Sequence, residues 1–337
     1  MTRSGSCGGL LALTIGLGGC GRDVQSVLAP QGVQAEQIAT LAWMLFGFGA
    51  AVLAIVIAAL WLAIAGPERM RRWLAKENAI VLLGIAFPAV TLTALLGYGV
   101  WVMRSHLDVT LSDNAVAIEV VGEQWWWRVN YSGAGGKPLA SANEIRVPIG
   151  IPVDFALKSA DVIHSFWVPS LGGKVDMIPG RTTRLRLMAQ RPGIYRGQCA
   201  EYCGGPHALM AFEVIAMPAA EYTAWLRRAA APAPAPQSDD HERGRSLFIA
   251  AGCGACHAVR GTAATGTIGP DLTHIGSRRS VGIDTLPLNH ANLKRFVTEG
   301  QHIKPGNPMP EFRILEPADV DALSAYLLTL KVNDQDG

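Results

Sequence analysis

Formal charge is scarce in this chain. Of 337 residues only 17% are Asp, Glu, Lys or Arg, and 29 basic side chains against 27 acidic ones leave a net charge of +2. So small a balance excludes nucleic-acid binding driven by bulk electrostatics. A hydrophobic content of 50% excludes a disordered chain. Cysteine is sparse, with six residues in all, and beyond Met217 there is a single methionine, Met309. Two stretches lack charge altogether: Ile38 to Ala65, 28 residues, and Ala79 to Met103, 25 residues. About 20 apolar residues in a helix cross the roughly 30 Å of hydrocarbon in a bilayer, so each run predicts a membrane span. Arg69, Arg71, Arg72 and Lys76 lie between them and predict a cytoplasmic turn. Residues 38–103 therefore read as a hairpin, with everything after Met103 on the outer side. Pro88 inside the second run is tolerable because neighbouring groups can satisfy the carbonyl it frees.

Before the hairpin, Arg3 is followed by the apolar run Leu10 to Leu17 and by Gly18-Gly19-Cys20. Too short to span, this stretch suits a signal peptide over residues 1–19. The sequence Leu17-Gly18-Gly19-Cys20 resembles a bacterial lipoprotein cleavage site, which would make Cys20 the lipidated first residue of the mature chain. After the hairpin, residues 105–220 lack helical periodicity. Short alternating stretches recur instead, at 115–121, 145–147, 153–157 and 183–187, punctuated by Gly172-Gly173 and Pro179-Gly180. That pattern predicts an antiparallel sandwich or barrel. Residues 221–238 include Ala229 to Pro236, an Ala/Pro alternation that favours an extended spacer. Residues 239–337 turn helical, with Val320, Leu323, Leu327 and Leu330 on one face behind Pro317.

Four of the cysteines stand in chemical contexts. Cys253-Gly254-Ala255-Cys256-His257 is the attachment pattern of c-type haem. Two thioethers hold the porphyrin, the adjacent imidazole of His257 ligates the iron, and Met309 is the natural sixth ligand, which raises the potential. The same five residues alone would also suit a zinc site or a redox dithiol. Cys199 and Cys203 lie within 12 residues of His207 and Met210, a soft donor set that selects copper over hard cations. His164 supplies a second imidazole from a separate strand end. There is one cysteine too many for a mononuclear blue-copper centre, whereas two thiolates can bridge two copper ions, each keeping one histidine. A Cys199–Cys203 disulfide is the plainer alternative for that pair.

The stretch 239–330 resembles a class I cytochrome c domain, in which Pro270 would sit beside His257 and Phe248 would meet Tyr326. The run Asp161 to Met210, the upstream Gly122-Glu123-Gln124-Trp125-Trp126-Trp127 and the hairpin together resemble subunit II of cytochrome c oxidase, and the fused cytochrome resembles the caa3 type. The resemblance implies a multidomain chain: a transmembrane hairpin, an all-β cupredoxin-like Greek-key barrel and an all-α cytochrome c domain. It implies a dinuclear copper A centre on His164, Cys199, Cys203, His207, the Met210 sulfur and the Glu201 carbonyl, with haem c on Cys253, Cys256, His257 and Met309. It further implies a shared magnesium or manganese near the Glu201 side chain and Asp176, and electron entry at Trp125 or Trp126. If the 125–127 run is strand, Trp125 and Trp127 share one face and Trp126 takes the other. Partners would be oxidase subunits I and III and a cytochrome c or other donor, in a bacterial cytoplasmic membrane with both redox domains on the outer face. Relatives carry a glutamate near the start of the second span for proton entry. Here that span holds no carboxylate, and Glu77 precedes Pro88 by eleven residues, too early for the role. The competing reading is an exported copper- or thiol-transfer lipoprotein, in which residues 199 and 203 cycle as a dithiol.

Overall fold

A computed structural model describes residues 25–107, 114–132 and 138–332. The expected signal peptide and Cys20 lie outside the described residues. Two units result: residues 36–115, and the remainder of the chain.

The first unit is helical. Helix α1 (Val33–Ala65) is followed by the short α2 (Glu68–Leu74), which carries three of the four expected turn cations, and by α3 (Glu77–Val81). A wider π-type turn over Leu82–Ala86 leads into α4 (Phe87–Leu107). The widening has a local cause. Pro88 cannot donate to the carbonyl four residues back and its ring crowds that carbonyl, so the ladder shifts register just before it. Val33–Ala65 and Glu77–Trp101 are both long and apolar enough to cross a membrane, and their side chains are almost wholly unburied.

In the other unit, strands β1 (Val116–Glu123), β2 (Trp126–Ser132), β3 (Pro138–Ala142), β4 (Glu144–Pro148), β5 (Val153–Ser159), β6 (His164–Trp167), β7 (Val175–Met177), β8 (Thr183–Leu187), β9 (Gly193–Cys199) and β10 (Ala211–Met217) form two five-stranded sheets. Their orders are β3-β2-β1-β5-β8 and β4-β10-β9-β6-β7, with β1 parallel to β5 and β4 parallel to β10. This is the cupredoxin-like domain. Alternation on β1, buried at Ile118, Val120 and Gly122, and on β5, buried at Val153, Phe155 and Leu157, fills the space between the sheets. Phe166, Phe212 and Trp127 pack edge and face at its centre, with ring centroids 4.5–6.0 Å apart. Residues just before α1 are tied to this domain: Gly32 bridges Ala189, and the Gln31 amide donates to the Ser170 carbonyl at 2.8 Å.

The expected spacer begins later than residue 221. Helix α5 (Ala219–Ala229) occupies its first half, and Tyr222, Trp225 and Ala229 bury one face of it. Trp225 meets Tyr131 edge to face at 5.1 Å, and Arg146 lies over the Trp225 ring. A three- and four-residue spacing of apolar side chains made this helix, and the Ala/Pro composition downstream masked it. The irregular connection runs over 230–237.

The C-terminal domain comprises α6 (Asp239–Ala250), the one-turn α7 (Cys253–Cys256), the two-residue strands β11 (Ser280–Val281) and β12 (Leu286–Pro287), α8 (His290–Ile303) and α9 (Pro317–Thr329). Ser238 and Asn289 cap α6 and α8 through their side-chain oxygens. Helices α6 and α9 cross where Phe248 meets Tyr326 at 6.3 Å, and a side chain in place of Gly244 would run into the Ala322 backbone.

Candidate metal and haem centres

At one end of the barrel, strand β6 opens on His164 and strand β9 closes on Cys199, so that adjacent strands deliver an imidazole and a thiol to the same point. His164 thus begins its strand rather than ending one. The loop after β9 brings Cys203, His207 and Met210 back to it. Cys199 Sγ lies 3.8 Å from Cys203 Sγ and 3.8 Å from His164 Nδ1. Cys203 Sγ lies 3.4 Å from His207 Nδ1 and 3.7 Å from Met210 Sδ. The Glu201 carbonyl is 3.2 Å from Cys199 Sγ. All six residues expected to hold copper therefore converge. The sulfurs are free thiols, not a disulfide, which would bring them to about 2 Å. His164, Cys199, Cys203 and Met210 are buried.

Second partners orient these donors. His164 Nε2 bonds Asp161 Oδ1 at 2.8 Å, which fixes the ring and points Nδ1 at the thiols. Burial alone would lower the His164 pKa, but hydrogen bonds to Cys199 and Asp161 outweigh it and raise it. Hydrogen bonding with Cys203 and His164 holds the Cys199 thiol well below its usual pKa, and the neighbouring Cys199 sulfur together with burial holds the Cys203 thiol above its own. Gly122 is required by close approach: a Cβ there would lie 2.8 Å from the His164 ring. Asp176 accepts from Ser165 and pairs with Lys174 at 3.1 Å, and the same ammonium lies 3.5 Å from the Glu201 carboxylate.

The second centre is a cavity of about 460 Å³ in the helical domain. Cys253, Cys256, His257 and Met309 all line it, with Phe248, Leu293, Phe296 and Leu323 among its apolar walls. His257 Nδ1 bonds the Pro270 carbonyl at 2.8 Å, leaving Nε2 for the cavity, and burial keeps the imidazole below its usual pKa, neutral and able to ligate. A Cβ at Gly269 would come within 2.6 Å of this ring, so the backbone must pass bare beneath it. Donor set, volume and apolar lining suit a covalently held haem.

Trp125, Trp126 and Lys304 also line the cavity. Sequence parity treated 125–127 as one strand, but β2 begins at Trp126 and Trp125 belongs to the preceding turn. Trp127 is core, Trp126 is buried beneath Arg128, and Trp125 alone reaches the copper loop, its Nε1 donating to the Cys203 carbonyl at 2.9 Å. Sequence reasoning missed Asp161 as the histidine's partner and missed Lys304 altogether. A lone lysine before Pro305-Gly306 carries no signal beyond that of a loop cation.

Residues 132–217 match the family model described as cytochrome c oxidase subunit II, periplasmic domain, and residues 241–331 match that of cytochrome c. A cytochrome c oxidase subunit 2 of Alkalihalophilus pseudofirmus is 34% identical over 337 residues, 95% of each chain. The chain belongs to the cytochrome c oxidase subunit II family. Another subunit 2, from Bacillus sp. PS3, is 32% identical over 75% of this chain and 72% of its own. The periplasmic domain of subunit II from Bradyrhizobium japonicum aligns with 36% of this chain and 96% of its own, at 30% identity and a TM-score of 0.33. As a member of the family the chain is a component of a haem–copper oxidase, and its two redox domains imply copper in the one and haem in the other.

Proposed function

We propose that this chain is the electron-entry subunit of a caa3-type oxidase. It would accept electrons at haem c, relay them to a dinuclear copper A centre and deliver them to the subunit I that reduces oxygen and pumps protons. The observation that carries the reading is the pairing of the two centres. Two thiols flanked by two imidazoles and a thioether stand on one side of Trp125, and the cavity of Cys253, Cys256, His257 and Met309 stands on the other. When bound, the two groups supply one-electron redox chemistry with small rearrangement. The chain's own residues hold and orient them.

Cys199, Cys203, His164, His207, Met210 and the Glu201 carbonyl would hold the two coppers. The Nδ1 of both histidines faces sulfur in support of this assignment. Cys253 and Cys256 would hold the haem covalently, and His257 and Met309 would supply its iron ligands. Of the two tryptophan candidates, Trp125 is favoured by its bond to the Cys203 carbonyl. The Glu201 and Asp176 carboxylates, bridged by Lys174, are the candidates for a magnesium or manganese shared with subunit I. Subunit III and a cytochrome c or other carrier are the remaining partners. The hairpin would sit in a bacterial cytoplasmic membrane with the redox domains outside and Cys20 lipidated.

The test is metal content and electron paramagnetic resonance of the full chain. Two coppers sharing one delocalised unpaired electron, beside a low-spin c-type haem, is the expected result. Haem with no copper, or with one localised Cu(II), would remove the copper A assignment and move the reading to a copper- or thiol-transfer lipoprotein.

A further inference from the structure

Lys304 is 2% exposed, and no carboxylate lies within ion-pair distance of it among the described residues. A lysine so placed is costly unless its ammonium is hydrogen-bonded. Its Nζ leaves the helical domain and donates to two carbonyls of the β-domain, that of Trp125 at 2.6 Å and that of Leu209 at 3.1 Å. Trp125 touches the Cys203 carbonyl, and Leu209 precedes Met210, so both acceptors belong to the wall of the candidate copper centre. Gly306, two residues on, faces the rim of the Trp125 indole.

The segment that carries Lys304 is internally fixed. The Gln301 side chain donates to the Asn307 and Met309 carbonyls at 2.6 and 3.0 Å and accepts from the Gly306 amide at 3.0 Å. Asn307 bonds the Gly300 and Lys304 carbonyls and accepts from the Met309 amide. One rigid loop, 304–309, thus ends on the candidate haem ligand and begins on the backbone of the tryptophan beside the candidate copper ligands.

Contacts elsewhere seat the same two domains. Ile283 and Val332 of the helical domain belong to the hydrophobic cluster of the β-domain. The Arg279 amide donates to buried Glu144 at 2.6 Å and its guanidinium pairs with Glu213 at 2.9 Å, while Arg196 pairs with Asp284 at 2.8 Å. These contacts hold the two domains against one another. Lys304 is the contact that donates directly to the carbonyls of Trp125 and Leu209.

We infer that Lys304 is a positioning residue that pins the haem domain onto the copper domain. Electrons then cross a fixed, docked interface at Trp125, and the haem domain does not swing on its 230–237 tether. The inference rests on the electron-entry reading above.

Its test uses the full oxidase carrying wild-type, K304M or K304Q subunit II. After photoreduction of the haem, transfer to copper is timed, and the haem-to-copper dipolar distance is read by pulsed electron paramagnetic resonance. Met keeps the stem and abolishes donation, orphaning two carbonyls. Loss of this doubly donated contact is expected to slow transfer at least about tenfold and to broaden the distance distribution. Both spectra should stay those of intact centres, and K304Q, which still donates N–H, should restore part of the rate. An unchanged rate and distance in K304M would overturn the inference. The wild type tests it without a variant: docked transfer is independent of viscosity and salt, and a rate that falls as glycerol is added would sink the pin while leaving the electron-entry reading intact. Absence of the copper signal in the wild type would instead sink that reading.

Discussion

The two centres of the outer domains are built on opposite principles. At the copper end, two β-strands and one loop converge on a point, every donor is already within 3.8 Å of its neighbour, and the core behind it is continuous side chain. In the helical domain the centre is a hollow of about 460 Å³, and four helices lean on what is to fill it. A sheet domain satisfies its backbone across strands and can afford a small metal at its rim. A domain of fewer than a hundred residues with a large internal void lacks the buried area to fold without its cofactor. The difference sets how each centre should fail.

The largest effect is expected from preventing haem attachment. In the Cys253→Ala/Cys256→Ala chain the void is left open. At about 24 cal/mol per Å³, a hollow of about 460 Å³ is worth about 11 kcal/mol, comparable to the whole stability of a domain. Limited proteolysis should then degrade residues beyond 238 and leave the β-domain intact. Survival of both domains would show that the haem domain closes its hollow unaided.

Trp225→Ala separates the domains from the other side. The side chain is buried against Tyr131 and belongs to the β-domain core, so about 3–5 kcal/mol of that domain's stability should go, read by calorimetry. If α5 were only spacer, the change would be lost in the surface range.

Gly122→Ala is a finer probe of the copper end. The added Cβ presses on a His164 ring that has nowhere to move, at an overpacking penalty of about 1–3 kcal/mol, with weakened copper retention on dialysis. Unaltered copper binding would mean the ring has slack that the packing does not show. The smallest change to the fold should follow from chelating copper out of the wild type. The β-domain should keep its far-ultraviolet dichroism and lose only ligand-linked stability, and collapse of the sheet would break the contrast between the two centres.

These differences bear on what could be read in advance. The β-domain's alternation showed at β1 and β5, where alternate residues are buried, and at β4 and β8, where apolar residues alternate with Arg in the sequence. Strand β9 was harder to see, since its glycines and polar residues give a weak alternation. Helix α5 was hidden because Ala and Pro dominate its neighbourhood and its apolar face is only three residues wide. The donor sets were legible because metal chemistry restricts residue types, and Cys-x-x-Cys-His and the thiol-rich loop carry that restriction in a dozen residues or fewer. Trp125 could not be told from Trp126, since the turn that exempts it from strand parity is a product of backbone geometry.

The sequence by itself determined the two long apolar runs, the order of the modules and the candidate donors, because hydrophobic length, spacing and ligand chemistry are local properties. Only the tertiary structure decided that His164 meets the thiols 35 residues away, that Trp125 stands between the cavity and Cys203, and that Lys304 is buried between two domains. Each of those is a contact across long chain separation. It is fixed by packing and by the need to satisfy buried polar groups, neither of which leaves a local pattern in the residues that meet.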